Sequence, residues 1–415
     1  MKILIVNTNE NEGGAARAAN RLYKSLLSEN IDVCYFVDNK ISDNYKILAL
    51  TSKLDKIKKI LRQQYDQLRV RLYKNRTGMI FSPNNTILTS KLIDKINEIN
   101  PDIVHLHWVN GGMINIKDLI KINKPILWTM HDGWLFTGGC HLPYDCENFK
   151  IKCERCPVLG SSKENDLSSR IFSLKKSIFP KLKLNVVTPS NWLGNNCKKS
   201  MLLKDKNINV IPNPIDTDMY RPISKTISRE LLGLPDDKQI VLFGASSATS
   251  DANKGFKQLR EAIDKLNLEN ILLLVMGGSE PKESNVFQYP VKYLGQLNDD
   301  VSIKLAYNSA NVSVVPSLSE NLSSTIMESL ACGTPVVGFD TGGNSDMVEH
   351  KFNGYLAKPF ESEDLACGIE WILNTPNYDE LCINARKKVM REFDSKIVAQ
   401  KYVELYKEVL LTAKS

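Results

Sequence analysis

Short runs of almost purely apolar residues recur along the chain, and sequence of helical period separates each from the next. KILIVN at 2–7 is followed by Ala15, Ala16, Ala19, Leu22, Leu26 and Leu27 on one helix face, and then by IDVCYFV at 31–37. Further runs stand at 102–107 (DIVHLH), 125–130 (PILWTM), 184–188 (LNVVT) and 208–212 (INVIP). A strand without polar alternation is buried on both faces, as in a parallel sheet covered by helices. The pattern restarts after IPNPIDTDMYRP at 211–222, with strands predicted at 239–244, 271–276, 291–294, 312–315 and 335–339. Helices are predicted between them at about 254–267, 301–309 and 322–332, and again at 361–374, 378–392 and 395–412. The expected architecture is therefore α/β, with two doubly wound, Rossmann-like domains facing across a cleft. An N-terminal domain covers 1–210, a nucleotide-binding domain covers 211–394, and a helix at 395–415 packs back on the first.

The 415 residues suffice for two cores, and 42% hydrophobic with 24% charged content fits a soluble globular chain. No apolar run is long enough to span a bilayer, and MKILIVNTNENEGG reads as a strand and turn instead of a secretion signal. The expected location is the cytoplasm. The net charge of +7 is concentrated: residues 53–76 hold nine Lys/Arg against Asp55 and Asp66. The remainder is near neutral, which argues against a nucleic-acid binder.

Ligands of parallel α/β sheets bind beyond the carboxyl ends of the strands, and the unusual residues cluster there. Gly13 and Gly14 precede the first helix, where glycines let a ligand approach free backbone N–H groups; two glycines alone are more often just a tight turn. His131 follows the strand PILWTM, placed to exchange a hydrogen bond near neutral pH or to brace the backbone. His105 and His107 alternate onto one face and read as packing residues. Lys254 precedes Gly255 at a helix start, which suits a phosphate, although most lysines are merely solvated. The densest signal is PSLSENLSSTIMESLACGTPVVGFDTGG at 316–343. There Glu320 follows a buried strand, Ser323 and Ser324 open a helix whose amides can meet a diphosphate, and Glu328 lies about two turns along.

These motifs in this order resemble the family-four retaining glycosyltransferases (glycosyl transferases group one), which have the GT-B fold. The resemblance runs almost end to end, through GGA, TMHD at 129–132, VIPNPID at 210–216, Lys254-Gly255, E-x7-E with ACGTPVV, and TGG. The phrase HDGWLFTGGCH is similar to one in bacterial capsule, O-antigen and exopolysaccharide enzymes. The resemblance implies a retaining hexosyl- or N-acetylhexosaminyl-transferase acting on a glycan or lipid-linked acceptor, with no metal required. It assigns Glu328 to the donor ribose, Glu320 with the amides from Leu322 to Ser324 to the sugar and diphosphate, and His131 to the sugar near the reacting carbon. Lys254 would neutralise the leaving diphosphate. Gly13 and Gly14 would let the loop close, and the turn at Gly295 and Leu297 would face the base. A UDP-sugar is the favoured donor, a GDP-sugar the second. One departure is Gly244-Ala245-Ser246, where the family commonly carries an arginine.

Other readings remain at this stage: a GT-B sugar-nucleotide epimerase or phosphorylase, and a non-catalytic nucleotide-sugar-binding protein. Acceptor-dependent release of nucleotide separates transfer from all of these. Asp216-Thr217-Asp218 reads as part of the hinge in preference to a metal-binding DxD. Cys140, Cys146, Cys153 and Cys156, with C-x2-C at the end, suit either a structural zinc or reduced thiols. Residues 53–76 place Leu54, Ile57, Leu61, Tyr65, Leu68 and Leu72 at helical spacing among lysines. That pattern fits a helix on the anionic inner face of a membrane, and equally one packed on its own domain.

Overall fold

The computed structural model describes residues 1–50, 52–86, 91–244, 251–277 and 287–414. The chain forms two compact units, Met1–Asn213 with Val398–Ser415, and Pro214–Ile397. The expected boundaries at 210/211 and 394/395 each lie three residues before these.

In the first unit, β1 (Lys2–Asn9), β2 (Asp32–Asn39), β3 (Ile47–Ala49), β4 (Ile103–Leu106), β5 (Ile126–Thr129), β6 (Leu184–Thr188) and β7 (Asn207–Val210) form one sheet. Its order is β3-β2-β1-β4-β5-β6-β7, and every pairing is parallel. Side chains of β1 alternate between two cores. Leu4 and Val6 join a large cluster with Leu106, Trp128 and Phe136, and Ile3 and Ile5 join a second on the other face. The second cluster is completed by Val398, Tyr402, Leu405, Tyr406 and Val409 of the C-terminal helix Ser395–Lys414. Full burial of side chains of this size contributes about 1.5–3 kcal/mol each. The last helix is therefore part of the first unit's core.

The second unit repeats the scheme with β8 (Gln239–Gly244), β9 (Ile271–Met276), β10 (Val291–Gly295), β11 (Val312–Val315), β12 (Val336–Phe339) and β13 (Gly354–Ala357). The order is β10-β9-β8-β11-β12-β13, again all parallel. Ile240 and Leu242 of β8 face one core, and Val241 and Phe243 face the other.

Strand order reverses between β1 and β4 in one sheet and between β8 and β11 in the other. Successive crossovers leave those points in opposite directions and open a crevice at the strands' carboxyl ends. The connecting segment at 211–222 is a capped turn. Asp216 Oδ1 accepts from the amides of Asp218 and Met219 at 3.0 and 2.9 Å, and Thr217 Oγ1 bonds the Asp394 carboxylate. Arg386 adds bonds to the carbonyls of Thr217 and Tyr220. The first aspartate of the DxD triplet thus organises backbone.

Candidate active site

In the second unit, the loops after β8 and β11 meet at the switch point. Residues 252–254 form a 3-10 turn, and Gly255 at φ +70° separates it from the helix Phe256–Ile263. Lys254 therefore ends a turn, where a helix start was expected. A Cβ at Gly255 would lie 1.9 Å from the carbonyl oxygen of Pro316, so only glycine lets the two loops touch. The contact is continued by Leu318 N donating to Asn253 O at 2.9 Å and Asn253 Nδ2 donating to Ser319 O at 2.9 Å. This places the Lys254 ammonium 2.7 Å from Glu320 Oε1. A second glycine fixes Glu320 from the other side. Gly342 has φ +59°, a Cβ there would lie 1.6 Å from Glu320 O, and Gly343 N donates to that oxygen at 3.1 Å.

The helix Ser324–Ala331 begins immediately beyond. Ser323 is its N-cap, its Oγ accepting from Ile326 N at 3.4 Å, with buried Leu322 packed in the core before it. The helix thus starts two residues after the expected Leu322. Glu328 is buried at 3% exposure, and Tyr307 OH donates to its Oε2 at 3.2 Å. A carboxylate has room for several acceptor bonds. Burial, then Glu328 itself, raises the Tyr307 phenol well above its ordinary value, so Tyr307 remains a donor. Gly295, at φ +65°, ends the edge strand β10 and Leu297 follows it, away from the switch point by two strands. Gly244 ends β8; Ala245 and Ser246 lie outside the described residues, and so does the place of the family's arginine.

The first unit has its own cluster. Gly13, at φ +87°, precedes the helix Gly14–Ser28, and no side chain caps that helix start. Across the switch point, Trp108 N donates to Asn7 Oδ1 at 2.9 Å, and Thr8 N donates to Trp108 O at 2.8 Å. His131, half-buried after β5, shares a 2.9 Å bond between its Nε2 and His107 Nδ1. His107 in turn lies against His105, with ring centroids 4.4 Å apart. His105 bonds Tyr406 OH at 2.7 Å and Thr129 Oγ1 at 2.8 Å. The sequence reading treated His105 and His107 as packing; His107 also hydrogen-bonds His131, and His105 packs behind it. Burial, with only partial relief from Asp132, drives His131 down to about 4, so it is neutral at pH 7.

Asp132 was not singled out in the sequence, nor was His141. His141 Nδ1 lies 2.6 Å and Trp108 Nε1 3.1 Å from Asp132 Oδ2, and Trp134 N donates to Oδ1 at 2.8 Å. Burial would raise the Asp132 carboxyl, but His141 and the Trp134 amide outweigh it and hold it below the usual range. The available signal was the pair of ionisable residues bracketing DGWLFTGGCH. Nearby, a cavity of about 790 Å³ at the ends of β1 and β2 is lined by Asn9, Lys40, Lys56, Lys59 and Trp108.

Among the described residues no three His, Cys, Asp or Glu side chains are grouped to hold an ion. Cys140, Cys153 and Cys156 are buried in the large core cluster, and Gly138 N donates to Cys153 Sγ at 3.1 Å. All nine cysteines are free thiols.

Two parallel α/β units of this kind, one bearing a lysine and a carboxylate beside a helix start, define a glycosyltransferase of GT-B architecture. The chain belongs to glycosyltransferase family 4: residues 12–219 match the Glycosyltransferase Family 4 model, and residues 224–389 match Glycosyl transferases group 1. An uncharacterized glycosyltransferase of Methanocaldococcus jannaschii is 26% identical over 344 residues, covering 76% of this chain and 86% of that protein. Sucrose-phosphate synthase of Thermosynechococcus elongatus superimposes with a TM-score of 0.71 at 20% identity, over 100% of both chains. The Anabaena HepE structure in complex with UDP and glucose does so with a TM-score of 0.67 at 16% identity, over 98% of this chain and 100% of that one. No helix among the described residues is long and apolar enough to cross a membrane.

Proposed function

We propose that this chain transfers a hexosyl or N-acetylhexosaminyl group, with retention, from a nucleoside diphosphate sugar to a glycan or lipid-linked acceptor in bacterial surface polysaccharide synthesis. A UDP-sugar is favoured, as in the UDP complex of the structural neighbour, and a GDP-sugar is the second candidate. The observation that supports this is the Lys254–Glu320 pair at 2.7 Å, held by two tight glycines beside the amide-bearing start of Ser324–Ala331.

The chemistry follows from charge. The leaving group gains negative charge as the glycosidic bond breaks, and a fixed ammonium with aligned N–H groups stabilises that charge without a metal. Glu328 takes the ribose hydroxyls, and Glu320 takes those of the sugar. His131, kept neutral, gives or accepts a hydrogen bond at the sugar and adds no positive charge beside an oxocarbenium-like centre. The cavity lined by Lys40, Lys56 and Lys59 takes the acceptor, and its lysines suit an acceptor bearing phosphate.

A thermal-shift screen with UDP, GDP, ADP and their sugars is the first test, and stabilisation by a UDP compound is expected. Release of UDP only with acceptor, and a product anomer matching the donor's, then separates a retaining transferase from an epimerase or a binding protein. Failure of every nucleotide to stabilise the chain overturns the reading.

A further inference from the structure

The helix Lys53–Arg71 packs on its domain the opposite way from an ordinary surface helix, which buries its apolar stripe. Here the buried residues are Asp55, Arg62 and Asp66. Each is compensated. Lys91 Nζ lies 3.2 Å from Asp55, Arg62 Nε donates to Gly112 O at 2.6 Å, and Asp66 receives the amides of Asn84 and Asn85. Gly112, at φ +81°, admits the helix backbone: a Cβ there would lie 3.1 Å from Gln63 N. The charged face is thus a built attachment.

The other face carries Leu54, Ile57, Leu61, Tyr65, Leu68 and, just past the helix, Leu72. At about 100° per residue these fall in one stripe. Leu54, Ile57, Leu61, Leu68 and Leu72 are each at least 52% exposed, and Tyr65 is 40% exposed. Lys53 and Arg71 border the stripe on one side and Lys58 on the other, and all three are exposed. Lys74 and Arg76 extend the basic border beyond the helix.

We infer that this helix is a membrane-docking element that lies flat in the headgroup region of an anionic bilayer. An apolar stripe with exposed cations on both sides matches such a surface. The leucines enter the acyl boundary, and the lysines extend outward to lipid phosphates. The helix is too polar to span. The charge surplus of 53–76 is what selects an anionic lipid surface over a second copy of this chain, whose own helix would bring like charges together. The inference is independent of the donor-site reading.

The test is flotation of the full chain with two kinds of vesicle: phosphatidylcholine alone, and phosphatidylcholine with about one-third phosphatidylglycerol. The expected result is binding to the anionic vesicles only, weakened by about tenfold or more in about 0.5 M NaCl. The exposed-face variant Ile57→Gln/Leu61→Gln/Leu68→Gln is expected to bind about tenfold less or weaker still, with an unchanged melting temperature and unchanged nucleotide stabilisation. A charge variant, Lys53→Glu/Lys58→Glu, is expected to lose binding while keeping the stripe. Absence of wild-type flotation with anionic vesicles overturns the inference. So does equal binding by the triple variant, or a dimer that the triple variant abolishes while vesicles remain unbound.

Discussion

The Lys254 ammonium and the Glu320 carboxylate form a 2.7 Å ion pair while each remains partly open to solvent, at 24% and 17% side-chain exposure. Such a half-open pair contributes only about 0–1 kcal/mol to the fold. In the proposed reaction, the same lysine would face a developing diphosphate. Lys254→Ala is expected to lower kcat/KM by about 10²–10³-fold while moving stability by under about 1 kcal/mol. Steady-state kinetics and thermal melting together check this, and a loss of activity that tracks a loss of fold contradicts it.

Gly342 makes a steric prediction. Both its positive φ and the 1.6 Å approach of a Cβ to Glu320 O forbid a side chain. Gly342→Ala is expected to cost about 1–3 kcal/mol and to displace Glu320, so that stabilisation by nucleotide sugar falls more than stabilisation by nucleotide alone. Thermal shift with both ligands reads the difference.

Acid is expected to destabilise this protein as pH falls below about 6.5, through its buried histidines. Burial, with His131 adding to it at His105, holds His105 at about 3, and burial holds His131 at about 4, from an ordinary 6.5. His107 is lowered by burial and by both neighbours. Between pH 6.5 and about 4 the unfolded chain binds protons that the folded chain refuses. The stability tied to these neutral rings is thus complete above pH 6.5 and is lost as pH falls toward 4. Buried Lys175, lowered to about 7 by desolvation, acts with the same sign at higher pH. Urea midpoints at about pH 7.5 and about pH 5 are expected to differ, the second being lower; equal midpoints contradict the burial of these rings.

Asp132 links three parts of its loop through His141, Trp108 and the Trp134 amide. Asp132→Ala is expected to cost about 1–3 kcal/mol by leaving those donors unmatched. Because Asp132 anchors the loop that carries His131, kcat should fall more than KM rises. Asp132→Asn, which keeps the acceptor oxygen, should recover part of the stability. Recovery of neither quantity would assign the carboxylate no orienting role.

Both sheets were legible because their central strands are continuous apolar runs, as in β1 and β9. Of the four edge strands, β3 and β13 were not; they are three and four residues long. The helices Leu92–Ile99, Leu167–Ile178 and Lys225–Leu232 were also unassigned, since eight to twelve mixed residues give a weak helical signal. At the site, Lys254, Glu320 and Glu328 were visible as residues in unusual places after strands. Their arrangement was not, because it depends on Gly255 and Gly342 each touching a backbone more than sixty residues, or some twenty, away. The His131 support was hidden for a related reason. His107 and His131 follow neighbouring strands, and spacing along the chain says nothing about side chains that meet beyond the ends of a sheet.

The C-terminal helix carries a consequence for biogenesis. Because Val398–Ser415 completes the core begun by Met1–Asn213, the second unit is an insertion within the first. On the ribosome, Pro214–Ile397 can close as soon as it emerges. The earlier-made unit must wait, with the face of β1 and β4 uncovered, for Tyr402 and Tyr406, which are translated only after the whole second unit. The order of synthesis and the order of completion are therefore reversed, and the N-terminal half is the one exposed to chaperones and proteases in the interval.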